Sequence, residues 1–153
     1  MNTALLRKKL AEIALGFRVD KAAANLPQTA AAAIFTIATG RVLVTLLIGE
    51  VTTIIQTQAN TTKITINPTT GTSGDVASGL DISADEVGTH YIVEGDGTAL
   101  VGTNAGTGWG AVSLPFIVPI GGLDLDCSAS NTGQVKWTVF YLPIDDGAVV
   151  TAA

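Results

Sequence analysis

Few residues of this 153-residue chain are of a type that does chemistry, and their spacing builds no familiar site. Asp81, Asp85, Glu86, Glu94 and Asp96 crowd into one region. Oxygen-rich loops bind calcium, but the D-x-[DN]-x-[DN]-G spacing is absent, so this region reads as a solvated acidic edge. Asp124 and Asp126 stand two apart on an extended segment, hence side by side on one face. A glycosidase pair must flank its sugar from opposed sides, and nothing here suggests a cleft. His90 is the only histidine, so any Ser-His-Asp or Cys-His relay would need it. It opens the extended run His90–Glu94, where a surface or interface histidine is expected. Cys127, the only cysteine, alternates with Leu123 and Leu125 and behaves as a small core residue. The glycines between residues 95 and 110 lack the Lys-Ser/Thr ending of a phosphate loop and lead into no helix. They read as a loop that lets Trp109 lie against a neighbouring chain. Asn60-Thr61-Thr62 matches a glycosylation site by pattern only. No enzyme, no cofactor and no metal is expected.

The elements that position these residues are strands. Arg41 to Asn67 is almost wholly β-branched, aliphatic or hydroxyl-bearing, the set that suits a pleated, half-buried surface. Val42, Val44, Leu46 and Ile48 share one parity, and Val51, Thr53, Ile55 and Thr57 the other. The change is expected at Gly49-Glu50, as a bulge or a turn between two strands. After a polar turn at residues 59–62, Ile64 and Ile66 resume the alternation. Further strands are expected at His90–Glu94, Thr98–Val101, Val112–Val118, Leu123–Cys127 and Val135–Leu142. Gly95-Asp96-Gly97 makes a tight turn, and Pro115 confines its strand to an edge or a bulge. Residues 69–97 are otherwise expected as exposed loops. About eight strands with Gly, Asn, Pro and Ser turns indicate an all-β fold, an antiparallel β-sandwich or jelly roll. No helices alternate with the strands, which excludes a parallel α/β sheet.

Ahead of this domain, Thr3 caps a helix from Ala4 to about Leu15, with Leu6, Leu10, Ile13 and Phe17 on one face. Three turns are too few for stability alone, so the stripe needs a partner surface. These four residues and Trp109 are the candidate inter-subunit contacts. The chain divides into a helix and arm over 1–39, a β-sandwich over 40–147 and a tail over 148–153. The arm has an alternative, in which the helix closes the bottom of the same domain.

Composition narrows the classes further. Only 14% of residues are charged, against ~25% in an average soluble domain, while 47% are hydrophobic. Such a surface suits packing against other chains. Residues 1–21 carry five cations against two acids, a net of +3, and the remainder three against eleven, a net of −8. A basic head on an acidic body fits docking onto an acidic neighbour. Five cations without interleaved aromatics do not make a nucleic-acid surface. One cysteine excludes an intrachain disulfide. Arg41 and Glu50 interrupt the longest apolar run, so no membrane span is expected. Glu12, Arg18 and Asp20 spoil the apolar region that a signal peptide would need, leaving a soluble protein made in the cytoplasm as the expectation.

Three phrases, QTQANTTKITINPTTGTSGDVASGLDIS, GTHYIVEGDGTALVG and IGGLDLDCSASNTGQVKWTVFYLPIDDGA, resemble small virion proteins of tailed bacteriophages. The resemblance covers roughly residues 40–147 and is one of phrasing, with no diagnostic motif. It implies a structural component, a capsid decoration (cement) protein acting as a homotrimer seated on the major capsid protein, in the virion. It supplies no catalytic residue. A tail, neck or fibre-base component is the alternative, which would bind host glycans through exposed Trp109 and Tyr91.

Overall fold

The computed structural model describes residues 3–95, 101–103 and 114–153. Among these residues one helix, α1 (Thr3–Leu15), precedes eleven strands. These are β1 (Phe17–Asn25), β2 (Ala31–Ala38), β3 (Val42–Thr53), β4 (Thr61–Pro68), β5 (Gly74–Asp81) and β6 (His90–Ile92). After them come β7 (Val101–Gly102), β8 (Phe116–Val118), β9 (Gly121–Cys127), β10 (Gln134–Pro143) and β11 (Val149–Ala152). All pairings are antiparallel. Sheet A has the order β1-β10-β3-β6-β7, with β8 also on β3, and sheet B the order β11-β2-β9-β4-β5. Without the additions β7, β8 and β11, the orders are 1-10-3-6 and 2-9-4-5. That is the doubly wound Greek key of a jelly roll. The all-β sandwich expected from strand alternation is the fold.

The core lies between the sheets. Leu47, Val51, Trp137 and Val139 of sheet A meet Phe35, Ile37, Ile64 and Leu123 of sheet B, each at most 2% exposed. In β10 and β9 the inward residues are the alternating apolar ones, as period two requires.

Several expected boundaries move. Residues 17–39 are not a free arm: β1 pairs along β10 and β2 pairs along β9. Their Ala-rich sequence hides this because alanine carries little periodic signal, and pairing to distant strands supplies what local propensity does not. The tail expected at 148–153 is β11, hydrogen-bonded to β2. Gly49 does not split Val42–Thr53, which is one strand. The inward phase changes instead between Val44 and Leu47, where the register with β10 slips. Thr45 is the extra residue of this bulge. Gly49 keeps its place in the strand because the Trp137 ring lies over it. The stretch expected as a loop after Gly74 begins as β5, and Ile82 enters the core at 1% exposed.

Candidate functional site

The outer faces of the two sheets differ. Because Val139, Tyr141, Tyr91 and Val44 point inward, their neighbours Phe140, Leu142, Ile92 and Leu43 point outward from sheet A. Leu46 and Ile48 lie opposite Phe140 and Thr138 on the same face, and Ile117 of β8 opposite Leu43. This face is therefore largely apolar, with Leu142 and Ile117 43% and 56% exposed. Its charges are matched. Glu50 lies 2.7 Å from the Lys136 ammonium and 3.7 Å from His90, and Asp20 receives hydrogen bonds from Arg18 and Thr138.

Helix α1 sits on this face and is fixed at its C-terminal end. Gly16, at φ +93°, donates its N–H to the Glu12 carbonyl at 2.9 Å and presses against the Tyr141 backbone. A left-handed residue one step past a helix is where glycine costs least. The Thr45 hydroxyl donates to the Leu15 carbonyl, so the bulge in β3 also ends the helix. Among the helix side chains that are described, Ala11, Glu12 and Leu15 are partly buried. The predicted stripe of Leu6, Leu10 and Ile13 points the other way, exposed by 42%, 57% and 82%. Arg7 and Lys9 flank it, both exposed. The helix thus presents its apolar side away from the domain that carries it.

Phe17 is not on the helix. It opens β1 opposite Tyr141, with ring centroids 5.8 Å apart, and remains 53% exposed. It still joins the stripe, since Ile13, Gly16, Phe17 and Leu142 line one groove of about 400 Å³. On the other flank Arg7, Arg18, Asp20 and Phe140 line a groove of about 530 Å³. Trp109, the fifth candidate contact, lies outside the described residues. Leu142 and Ile144, both 43% exposed, extend the patch and were not singled out from sequence. Leu142 stands near the end of β10 on the parity of Thr138 and Phe140, the face turned away from the core.

The outer face of sheet B is polar. Leu123, Leu125 and Cys127 turn inward, so Asp124 and Asp126 share the outer face as expected from their spacing. Lys63 lies 3.1 Å from Asp75 and 3.7 Å from Asp126. Hydrogen bonds from Thr65 and Lys63 hold the Asp75 carboxyl below the usual range. Asp124 is 6% exposed; Asn67 donates to its Oδ2, while Oδ1 has no hydrogen-bond partner.

The candidate chemistry does not converge. His90 lies on sheet A, and Asp124 and Asp126 on the far side of sheet B, so no relay joins them. Among the described residues no three His, Cys, Asp or Glu side chains are placed to hold a metal ion. Of the acids between 81 and 96, Asp81 accepts N–H groups from Asn60 and Ser83, and Asp85 the Tyr91 hydroxyl at 2.6 Å. Asp96 lies outside the described residues. Tyr91 is 2% exposed and stacks on Trp137, so it offers no surface to a sugar. Asn60 is fully buried, its Oδ1 accepting the Ala129 N–H, which removes it as a glycosylation acceptor. Cys127 is buried, and burial raises its thiol pKa. No described helix is long and apolar enough to cross a membrane. Comparisons with protein-family models, curated proteins and solved structures return no match to this chain.

Proposed function

We propose that this chain is a non-enzymatic structural protein of a tailed-bacteriophage virion, a capsid decoration protein that stabilises the head lattice through contacts with copies of itself and with the major capsid protein. The observation that carries the reading is the outward stripe of α1. A three-turn helix is marginal in water, yet here it holds Leu6, Leu10 and Ile13 in solvent. Contiguous apolar surface of this kind marks a site of protein association. The jelly roll recurs in viral capsid domains, but also in lectins and cupins, so the fold alone favours no single function. The residue phrasing of 40–147 is what points to phage virions. The glycan-binding alternative loses Tyr91 to the core.

The test is incorporation into particles. Deletion of residues 1–15 removes α1 but spares β1, whose pairing with β10 starts at Phe17. The truncated chain is expected to fold and to be lost from purified virions. Gel densitometry of intact particles should give hundreds of copies of the full chain. A dozen copies or fewer would assign it to the tail, and unchanged occupancy after truncation would refute attachment through α1.

A further inference from the structure

We infer that the surface receiving α1 is the outer face of sheet B on a second copy of this chain. The inference rests on the reading of α1 as an assembly element and names its partner. The argument begins with charge. The first 21 residues carry a net of +3, and Arg7 and Lys9 flank the exposed stripe, whereas the rest of the chain carries −8. On sheet A the outward acids Glu50 and Asp20 already have cationic partners, so that face offers α1 no uncompensated charge. On sheet B, Asp75, Asp124 and Asp126 stand around the single cation Lys63. An anionic bilayer would attract Arg7 and Lys9 but repel the acidic body behind them.

Shape agrees with charge. Across from Asp124 and Asp126, β2 places Ala33 and Ala31, both exposed, and Gly122 adjoins them. Leu6, Leu10 and Ile13 can approach such a floor because Ala31, Ala33 and Gly122 are small, and Lys63 on β4 is drawn toward Asp75 on the side away from β2. Asp124 supplies a second observation, a charge on this face that its own chain compensates only in part. It is 94% buried on this face, yet its Oδ1 accepts no hydrogen bond from its own chain. A buried carboxylate oxygen without a donor is costly. A cation arriving over the floor would compensate the charge that Lys63, committed to Asp75, does not.

The contact joins two different surfaces, α1 on sheet A and the floor of sheet B. It is therefore heterologous: each copy has both halves, and the chain of contacts closes into a ring or continues. Three-fold closure would give a trimer with no helix left exposed.

Sedimentation velocity of the full-length chain over a range of concentrations tests this. The parent chain should associate. Arg7→Glu/Lys9→Glu should weaken association at least tenfold, as should Asp75→Lys/Asp126→Lys, with each variant's melting curve confirming its fold. Ala33→Arg, at an exposed position away from the Lys63 ion pairs, should do the same. Mixing the helix-reversed and face-reversed chains should restore association between unlike chains, in which a reversed helix meets a reversed face. The mixture should recover as even-numbered species, because a ring of three cannot alternate the two. Failure of the mixture to recover, or association of the Ala33→Arg chain at parent strength, would overturn the proposed face. A parent chain that stays monomeric but binds capsid shells, or phosphatidylglycerol vesicles, would overturn the second copy as occupant. If Leu10→Asp/Ile13→Asp chains enter particles at parental occupancy, the assembly reading itself fails.

Discussion

Gly49 lies flat beneath the indole of Trp137: a Cβ at residue 49 would stand 2.8 Å from Cζ3 and 2.9 Å from Cη2. The ring is 2% exposed, stacked on Tyr91 on one side and enclosed by the core. Gly49→Ala therefore forces either the indole or β3 to move. Overpacking of this kind costs about 1–3 kcal/mol, and a urea titration followed by tryptophan fluorescence should show the midpoint fall.

Arg41 and Asp145 tie the β2–β3 turn to the β10–β11 loop. The guanidinium donates from Nε and Nη2, and the Arg41 backbone N–H donates to the same carboxylate. These bonds, the guanidinium's first, hold the Asp145 carboxyl far below the usual range. The unfolded chain then binds the proton more readily than the native one. The stabilisation is fully present above the ordinary Asp value near ~4 and is lost as pH falls through the depressed native value. Asp145→Asn should flatten the acid limb of a stability–pH curve and change little at neutral pH beyond the loss of the pair itself.

Asp85 has the opposite sign. Burial lifts its carboxyl above the usual range, while the hydrogen bond from Tyr91 pulls it down. Here the native state binds the proton more tightly, so this group's contribution declines as pH rises from about 4 through the raised value. Asp85→Asn keeps an acceptor for Tyr91 and should remove that decline, leaving a chain at least as stable at pH 7. Tyr91→Phe removes the donor and should cost about 1 kcal/mol. Unfolding midpoints taken between pH 4 and 8 check both.

Leu10→Asp and Ile13→Asp change residues that are 57% and 82% exposed. Their effect on the isolated chain should stay within ~0.5 kcal/mol, the usual range for surface changes. Association should nevertheless be lost. Differential scanning calorimetry and sedimentation on the same samples separate the two effects.

The Cys127 thiol is 2% exposed and its pKa is raised, first by burial. Thiolate is the reacting form. An aromatic disulfide reagent should leave native protein untouched at pH 8 and label it fully in denaturant, so labelling serves as a probe of unfolding.

Much of the architecture was legible residue by residue. The spacing of Leu6, Leu10 and Ile13 placed the helix, which takes in Thr3 instead of starting after it, and alternation placed β4, β9 and β10 close to their observed bounds. Alternation also put Asp124 beside Asp126 and Cys127 in the core. Each of these is a local property, since period two and period 3.6 decide which side chains share a face.

Only the tertiary structure decided what lies opposite each face. Residues 22–24 are three alanines without a periodic signature, and they stay in β1 because its pairing with β10 holds on both sides of them, at Lys21 and again from Ala24 across a bulge. The phase change in β3 falls at Thr45, where the bulge against β10 leaves a hydroxyl for the end of α1, and Gly49 is spared by Trp137, more than eighty residues away in sequence. Above all, an amphipathic pattern implies that a stripe will be buried without saying by what. Leu6, Leu10 and Ile13 ask for a partner surface in the sequence, and the anchoring of Gly16 to Tyr141 turns them away from their own domain. Such outcomes depend on contacts between distant parts of the chain, which hydrophobic spacing within a short window does not encode.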